Sequence, residues 1–325
     1  MNTSQVSHIV VDEESAGQRL DNFLFRLLKG VPKTHVYRII RSGEVRVNKG
    51  RVGAEHKLGA GDLLRLPPVR VAQPAADAAL PSPHVPGREF PILFEDEAWM
   101  AIDKPAGVAV HGGSGVSSGV IEQLRKARPE ARFLELVHRL DRDTSGVLLV
   151  AKRRSALRHL QDQFRERETG KTYLALVRGS WPASKRVIDW PLQKYLLADG
   201  ERRVRVVPPD HPDAMRSITL VKVAQRQQDP AGAPGGRSGV ADGCTLLEVT
   251  IKTGRTHQIR VHLSHAGFPI AGDDKYGDFE WNRQLGRLGF GRMFLHAWKL
   301  QVRHPLTGEE MHLESALPKE LQAMR

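Results

Sequence analysis

His138-Arg139-Leu140-Asp141-Arg142-Asp143-Thr144-Ser145-Gly146 packs two carboxylates, two guanidiniums and an imidazole into nine consecutive residues. Directly behind them runs Val147-Leu148-Leu149-Val150-Ala151, apolar and of strand length. A charge-dense loop fixed to the edge of a buried strand is where a rigid scaffold can present one reactive side chain. A salt-bridged turn, with Asp143 or Thr144 capping nearby backbone N–H groups, is the plainer alternative. A second dense segment is Thr253-Gly254-Arg255-Thr256-His257-Gln258-Ile259-Arg260-Val261-His262. On a helix starting at 257, Arg260 lies one turn in and its guanidinium can reach a neighbouring loop. Arg255, in the preceding turn, could engage a phosphate or the loop carboxylates.

Metal chemistry has weaker support. His257, His262 and His265 lack the His-Glu-x-x-His spacing and have no carboxylate between them. A metal-dependent nuclease would have to draw on Asp141, Asp143, Asp273 and Asp274. The single cysteine, Cys244, excludes an intramolecular disulfide and any cysteine-based zinc or iron–sulfur site, and it fits a reducing cytoplasm. No apolar run approaches the roughly 20 residues that cross a bilayer. Residues 1–15 carry Asp12, Glu13 and Glu14, unlike a signal peptide. A soluble cytoplasmic protein without membrane contact is expected.

Charge points to a partner. Lys and Arg number 49 against 37 Asp and Glu in 325 residues, a net charge of +12. Such an excess favours a polyanion, and phosphate contacts supply most sequence-independent affinity for nucleic acid. Residues 1–70 alone hold twelve Lys/Arg and seven Asp/Glu.

The elements that must position these groups divide the chain. After a tail at 1–15, residues 16–70 read as a compact module. Leu20, Phe23, Leu24, Leu27 and Leu28 recur at helical spacing up to Gly30. A second helix over 33–41 turns Val36, Ile39 and Ile40 inward and can gather Lys33, Arg38 and Arg41 on its outer face. Such a run is commonly just a solvated helix face. Residues 71–88, rich in Ala and Pro, read as a flexible linker, and 227–243 as a glycine-rich surface loop. In the remaining 89–325, strands are expected at 99–103, 146–151, 172–177, 204–207, 218–223, 245–251 and 294–302. Helices are expected at 119–127, at 155–168 with Ser155 as N-cap and Gly170 beyond its end, and at 257–266 closed by Gly267. Strands outnumber helices and follow one another directly, which favours an α+β domain with a largely antiparallel sheet.

The loop at 138–146 with its following strand resembles the catalytic loop of the RluA-type pseudouridine synthases. Asp103-Lys104-Pro105-Ala106-Gly107 leading to His111-Gly112-Gly113, Lys171-Thr172-Tyr173, the segment 253–262, Gly272-Asp273-Asp274-Lys275-Tyr276-Gly277 and Phe294-Leu295-His296-Ala297 resemble further motifs of that family. Residues 16–70 resemble an S4-type RNA-binding domain of α/β character. The resemblance covers nearly the whole chain and is strongest to the branch acting on 23S RNA of the large ribosomal subunit.

The resemblance implies a pseudouridine-synthase-type catalytic domain behind an S4-like domain, working as a monomer on ribosomal RNA without cofactor or metal. Asp141 is then the essential carboxylate, Tyr173 packs on the target base and Arg260 pairs with Asp141. Arg139 fills the gap left by the extruded base. His138, Arg142 and Arg255, with Lys33, Arg38 and Arg41 of the small module, are expected to contact RNA, and His296 to be structural. A catalytically silent rRNA-binding or ribosome-assembly factor on the same scaffold is the alternative; it would be expected to have lost Asp141, Tyr173 or Arg260, and all three are present.

Overall fold

The computed structural model describes residues 5–12, 15–28, 30–69, 86–112, 118–227 and 243–322. Residues 71–85 of the expected linker and 228–242 of the expected glycine-rich loop lie outside these. Two compact units result, Met1–His84 and Val85–Arg325. Among the described residues, no helix is long and apolar enough to cross a membrane.

In the smaller unit, β1 (Ser7–Val10), α1 (Leu20–Leu27), α2 (Lys33–Arg41), β2 (Arg46–Val47) and β3 (Leu63–Leu66) follow in order. The three strands form an antiparallel sheet in the order β1-β3-β2. Leu20, Phe23 and Leu24 of α1 meet Val36, Ile39 and Ile40 of α2 in its core. This leaves Lys33, Arg38 and Arg41 exposed on the outer face of α2. Arg38 is paired there with Glu44 at 3.3 Å.

The larger unit begins with β4 (Ile92–Glu95), β5 (Trp99–Lys104), α3 (Val120–Ala127), β6 (Glu135–Leu136), β7 (Ser145–Ala151) and α4 (Arg154–Glu166). It continues through β8 (Gly170–Arg178), β9 (Val187–Asp189), β10 (Leu192–Leu196), β11 (Arg202–Val206), β12 (Ile218–Gln227) and β13 (Cys244–Ile251). The chain then forms α5 (Gln258–His265), α6 (Phe279–Arg287), β14 (Leu295–Arg303), β15 (Glu310–Glu314) and α7 (Lys319–Gln322). A ten-stranded sheet runs β4-β5-β7-β14-β8-β13-β12-β9, with β6 added to β7 and β15 to β14. Its ladders are antiparallel except where β7 and β14 run parallel. The architecture is therefore α+β with a largely antiparallel sheet.

β7 occupies the middle of this sheet because every one of its residues is buried, as a run of Val and Leu between two covered faces requires. Its entry is tight. Gly146 has φ +111°, and a Cβ there would stand 2.2 Å from the Ala297 carbonyl oxygen of β14. Only glycine permits that approach, which fixes where the loop before β7 leaves the sheet.

α4 departs from expectation at both ends. It starts at Arg154 with Arg153 as N-cap, so Ser155 lies inside the first turn. Lys152 and Arg153 both donate their N–H to the Ala98 carbonyl, which sets the turn before Ser155 is reached. The helix ends at Glu166, capped by Arg167 in the left-handed region at φ 64°, and Gly170 already opens β8.

Candidate active site

Three elements converge on Asp141. The loop 138–144 ends in a turn closed by the Thr144 N–H donating to the Asp141 carbonyl at 3.2 Å. β8 contributes Tyr173, packed between the two main apolar clusters. α5 contributes Arg260. Gln258 prepares the start of that helix, its Oε1 accepting from the Arg255 N–H at 3.1 Å and the Thr253 hydroxyl at 2.8 Å. Together they line a small pocket of about 110 Å³ that also includes Arg139, Arg255 and His257.

Arg260 is nearly inaccessible and holds three carboxylates. Its Nε and Nη2 donate to Asp273 at 2.7 and 2.6 Å, a planar two-point pair. Nη2 also reaches Asp274 at 3.2 Å, and Nη1 lies 3.5 Å from Asp141 Oδ2. Arg260 thus does approach Asp141, but its principal partner is Asp273, a residue the sequence placed only in a turn. Burial alone would push the Asp273 carboxyl up, yet the hydrogen bonds and charge of Arg260 hold it below its ordinary value. A guanidinium between Asp141 and Asp273 occupies the position a bridging cation would need, and no cluster of metal-ligating side chains occurs among the described residues.

Tyr173 is half-buried in the pocket wall, and burial followed by the charge of Asp141 raises its pKa, so the phenol stays neutral. Arg139 is exposed at the pocket rim. Arg255 lines the same pocket with its Nε 3.3 Å from the Arg216 carbonyl. Arg142 is not part of that lining: it pairs with Asp143 at 3.2 Å and lines a separate cavity of about 640 Å³.

His138 does not face the pocket. Its ring stacks on Phe164 at 4.7 Å, and Nε2 accepts the Leu149 N–H at 3.2 Å. Burial, then the charge of Lys171, pushes its pKa down to about 3. A neutral ring serving the β7 backbone replaces the expected RNA contact.

Lys104 is a member of the site that sequence reasoning passed over. It is fully buried, and Nζ donates to the carbonyls of Pro105 and Val108 at 2.8 Å and of Arg142 at 2.9 Å. Burial draws its pKa down to about 7. Three acceptors nevertheless match the three hydrogens of an ammonium, and this geometry favours the charged form. The last of the three bonds ties the Asp141 loop to the end of β5. Behind it, His296 is sealed between the Ser145 hydroxyl at 2.9 Å and the Ser315 carbonyl at 3.0 Å.

Comparison with known proteins gives a consistent result. Residues 98–265 match the model of the RNA pseudouridylate synthase family and residues 18–64 that of the S4 domain. The chain is 52% identical over 325 residues to ribosomal large subunit pseudouridine synthase C of Escherichia coli K12, covering 98% of this chain and 96% of that protein. It is 50% identical to the protein of the same name from Pasteurella multocida, covering 98% and 92%. Among solved structures, human RNA pseudouridylate synthase domain containing 1 superposes with a TM-score of 0.56 at 27% identity, covering 71% of this chain and 84% of that one.

Proposed function

The chain belongs to the RNA pseudouridylate synthase family, and from that membership we propose that it isomerises uridines in the 23S RNA of the large ribosomal subunit, with Asp141 as the essential carboxylate. The relatives' names supply the substrate. The observation that carries the residue assignment is the placement of Asp141 on a pinned loop, in one pocket with Tyr173 and 3.5 Å from Arg260.

The reaction breaks the bond between N1 of uracil and C1′ of ribose, turns the base and forms a bond from C5 to C1′; the hydrogen of C5 leaves and N1 ends protonated. It is an isomerisation with no net redox change, so this chain's side chains suffice. Asp141 acts ionised, by adding covalently or by taking a sugar proton. Tyr173 offers a neutral aromatic face to the base, a contact worth about 1–3 kcal/mol. A base in this pocket has left its helix, and Arg139 at the rim fills the space it vacates. Arg255 meets the RNA backbone beside the pocket, and Lys33, Arg38 and Arg41 do so from the S4 domain. The enzyme works as a cytoplasmic monomer, a reading supported by its ribosomal substrate and by Asp141, Tyr173 and Arg260 coming from one chain.

The test is to incubate the purified protein with an unmodified 23S transcript and map pseudouridine along it. New pseudouridine at discrete positions, absent with Asp141→Asn, is the expected result. Wild-type protein that leaves every uridine unchanged, in the transcript and in isolated unmodified large subunits alike, would contradict the reading.

A further inference from the structure

His257 is the one aromatic nitrogen heterocycle in the Asp141 pocket, and the backbone carries strain to place it there. It sits at φ 51°, ψ 22° as the N-cap of α5, in the left-handed region that a residue with a Cβ adopts only at a cost. Its ring is mostly buried and packs edge-on against Tyr276, with centroids 5.5 Å apart.

The hydrogen bonds around Tyr276 favour the tautomer of His257 that carries its hydrogen on Nε2. The Tyr276 hydroxyl lies 3.0 Å from the Val204 backbone N and 2.8 Å from His257 Nδ1. A backbone N–H can only donate, so the phenol oxygen accepts from Val204 and its own hydrogen is free for Nδ1. With Nδ1 accepting, a neutral ring bears its hydrogen on Nε2. That Nε2 stands 3.9 Å from Asp141 Oδ1, while Arg260 Nη1 stands 3.5 Å from Oδ2 of the same carboxylate. The four charged groups around the ring are Asp141 on its loop, Arg260 on α5, and Asp273 and Lys275 on the turn before α6. Burial, with Arg260 and Lys275, outweighs Asp141 and Asp273 and keeps the ring neutral.

One turn orients both donors. Asp273 takes the two-point bond from Arg260, and its Oδ1 also accepts the Tyr276 N–H at 3.0 Å. The Tyr276 ring then lies 5.3 Å from the Arg260 guanidinium.

We propose that His257 is a positioning residue for Asp141: its Nε2–H closes onto Oδ1 when a uridine enters, so that Arg260 and His257 each hold one carboxylate oxygen, with Tyr276 setting the required tautomer. This rests on the reading of Asp141 as the reacting carboxylate. Catalytic hydrogen bonds are commonly long before substrate binds and tighten in the complex, so the 3.9 Å separation is the open form of this contact.

The experiment compares wild type with His257→Leu, His257→Gln, Tyr276→Phe and, as control, Asp141→Asn. It measures single-turnover pseudouridine formation at saturating 23S transcript, RNA affinity, and the tautomer of 15N-labelled histidine in the wild-type protein by NMR. We expect an Nε2–H resonance coupled to a non-protonated Nδ1. His257→Leu should slow the single-turnover step about ten- to a hundredfold, the scale of one hydrogen bond to a charged group, with RNA affinity unchanged. His257→Gln, which keeps a donor, should recover part of the loss, and Tyr276→Phe should fall between Gln and Leu. An Nδ1–H tautomer in wild type, or a His257→Leu rate within twofold of wild type while Asp141→Asn is dead, overturns the proposal and leaves Asp141 in place. Turnover by Asp141→Asn would instead remove the reading on which the proposal rests. A variant that fails to fold is set aside, and the wild-type tautomer then decides.

Discussion

Arg260 and Asp273, 2% and 1% exposed, form a two-point ion pair beneath the pocket that holds Asp141. The pair fixes the guanidinium so that its remaining nitrogen faces the Asp141 carboxylate. Removing one member of a buried pair leaves an uncompensated charge. Asp273→Asn is therefore expected to destabilise the large unit by about 3–5 kcal/mol and to slow catalysis without weakening RNA affinity. Chemical denaturation beside single-turnover kinetics checks both effects. A variant as stable and as fast as wild type would show that Arg260 is held by other contacts.

Lys104 supports the same loop from the opposite side, through the Arg142 carbonyl. Lys104→Met fills the space but leaves the carbonyls of Pro105, Val108 and Arg142 without this buried donor. The expected loss is about 2–4 kcal/mol, with proteolytic sensitivity appearing around residues 139–144. Limited proteolysis and a denaturation curve test this; an unaltered cleavage pattern would mean that the loop is held independently of β5.

Acid stability follows from His138. Its pKa is about 3 in the folded chain against an ordinary 6.5. Between those values the unfolded chain binds a proton that the folded one refuses, so this contribution is complete above pH 6.5 and is lost as pH falls towards 3. His262 and His296, also pushed down by burial, act in the same direction. His138→Gln should flatten the decline of the thermal midpoint between pH 6.5 and 4 relative to wild type. Parallel curves for the two proteins would place the acid sensitivity elsewhere.

Much of this arrangement was legible in the sequence, and the parts that were not share a cause. α2 and the buried run of β7 were readable because their apolar periodicities coincide with the faces they bury. The loop carrying Asp141 was readable because charges crowd against that run. The partner of Arg260 was not, because Asp273 is thirteen residues away and its burial depends on how α5 meets the following turn. His138 was misassigned for the converse reason. A histidine close to two arginines looks solvent-facing, but the bend after β6 lays its ring on Phe164, where Nε2 takes the Leu149 N–H. Ser155 failed as a cap because backbone bonds to Ala98 fixed the turn before local capping preference could act.

The S4 unit presents Lys33, Arg38 and Arg41 outward from one helix. If they meet phosphates, replacing all three by Ala should reduce the slope of log affinity against log salt by about 2, since each contact contributes roughly 0.7–0.9. Turnover at saturating RNA should be unchanged, because Asp141 lies in the other unit. A salt titration of binding is the check, and an unaltered slope would remove these three from the RNA interface.

The isomerisation depends on an ionised carboxylate at residue 141. Asp141→Asn keeps the shape of the side chain and removes the charge. Single-turnover pseudouridine formation on 23S transcript, with RNA affinity measured on the same preparations, tests this most directly. Wild-type affinity is expected, with no pseudouridine above the level that deamidation to Asp can supply. Pseudouridine formation by the Asn variant beyond that level would contradict it.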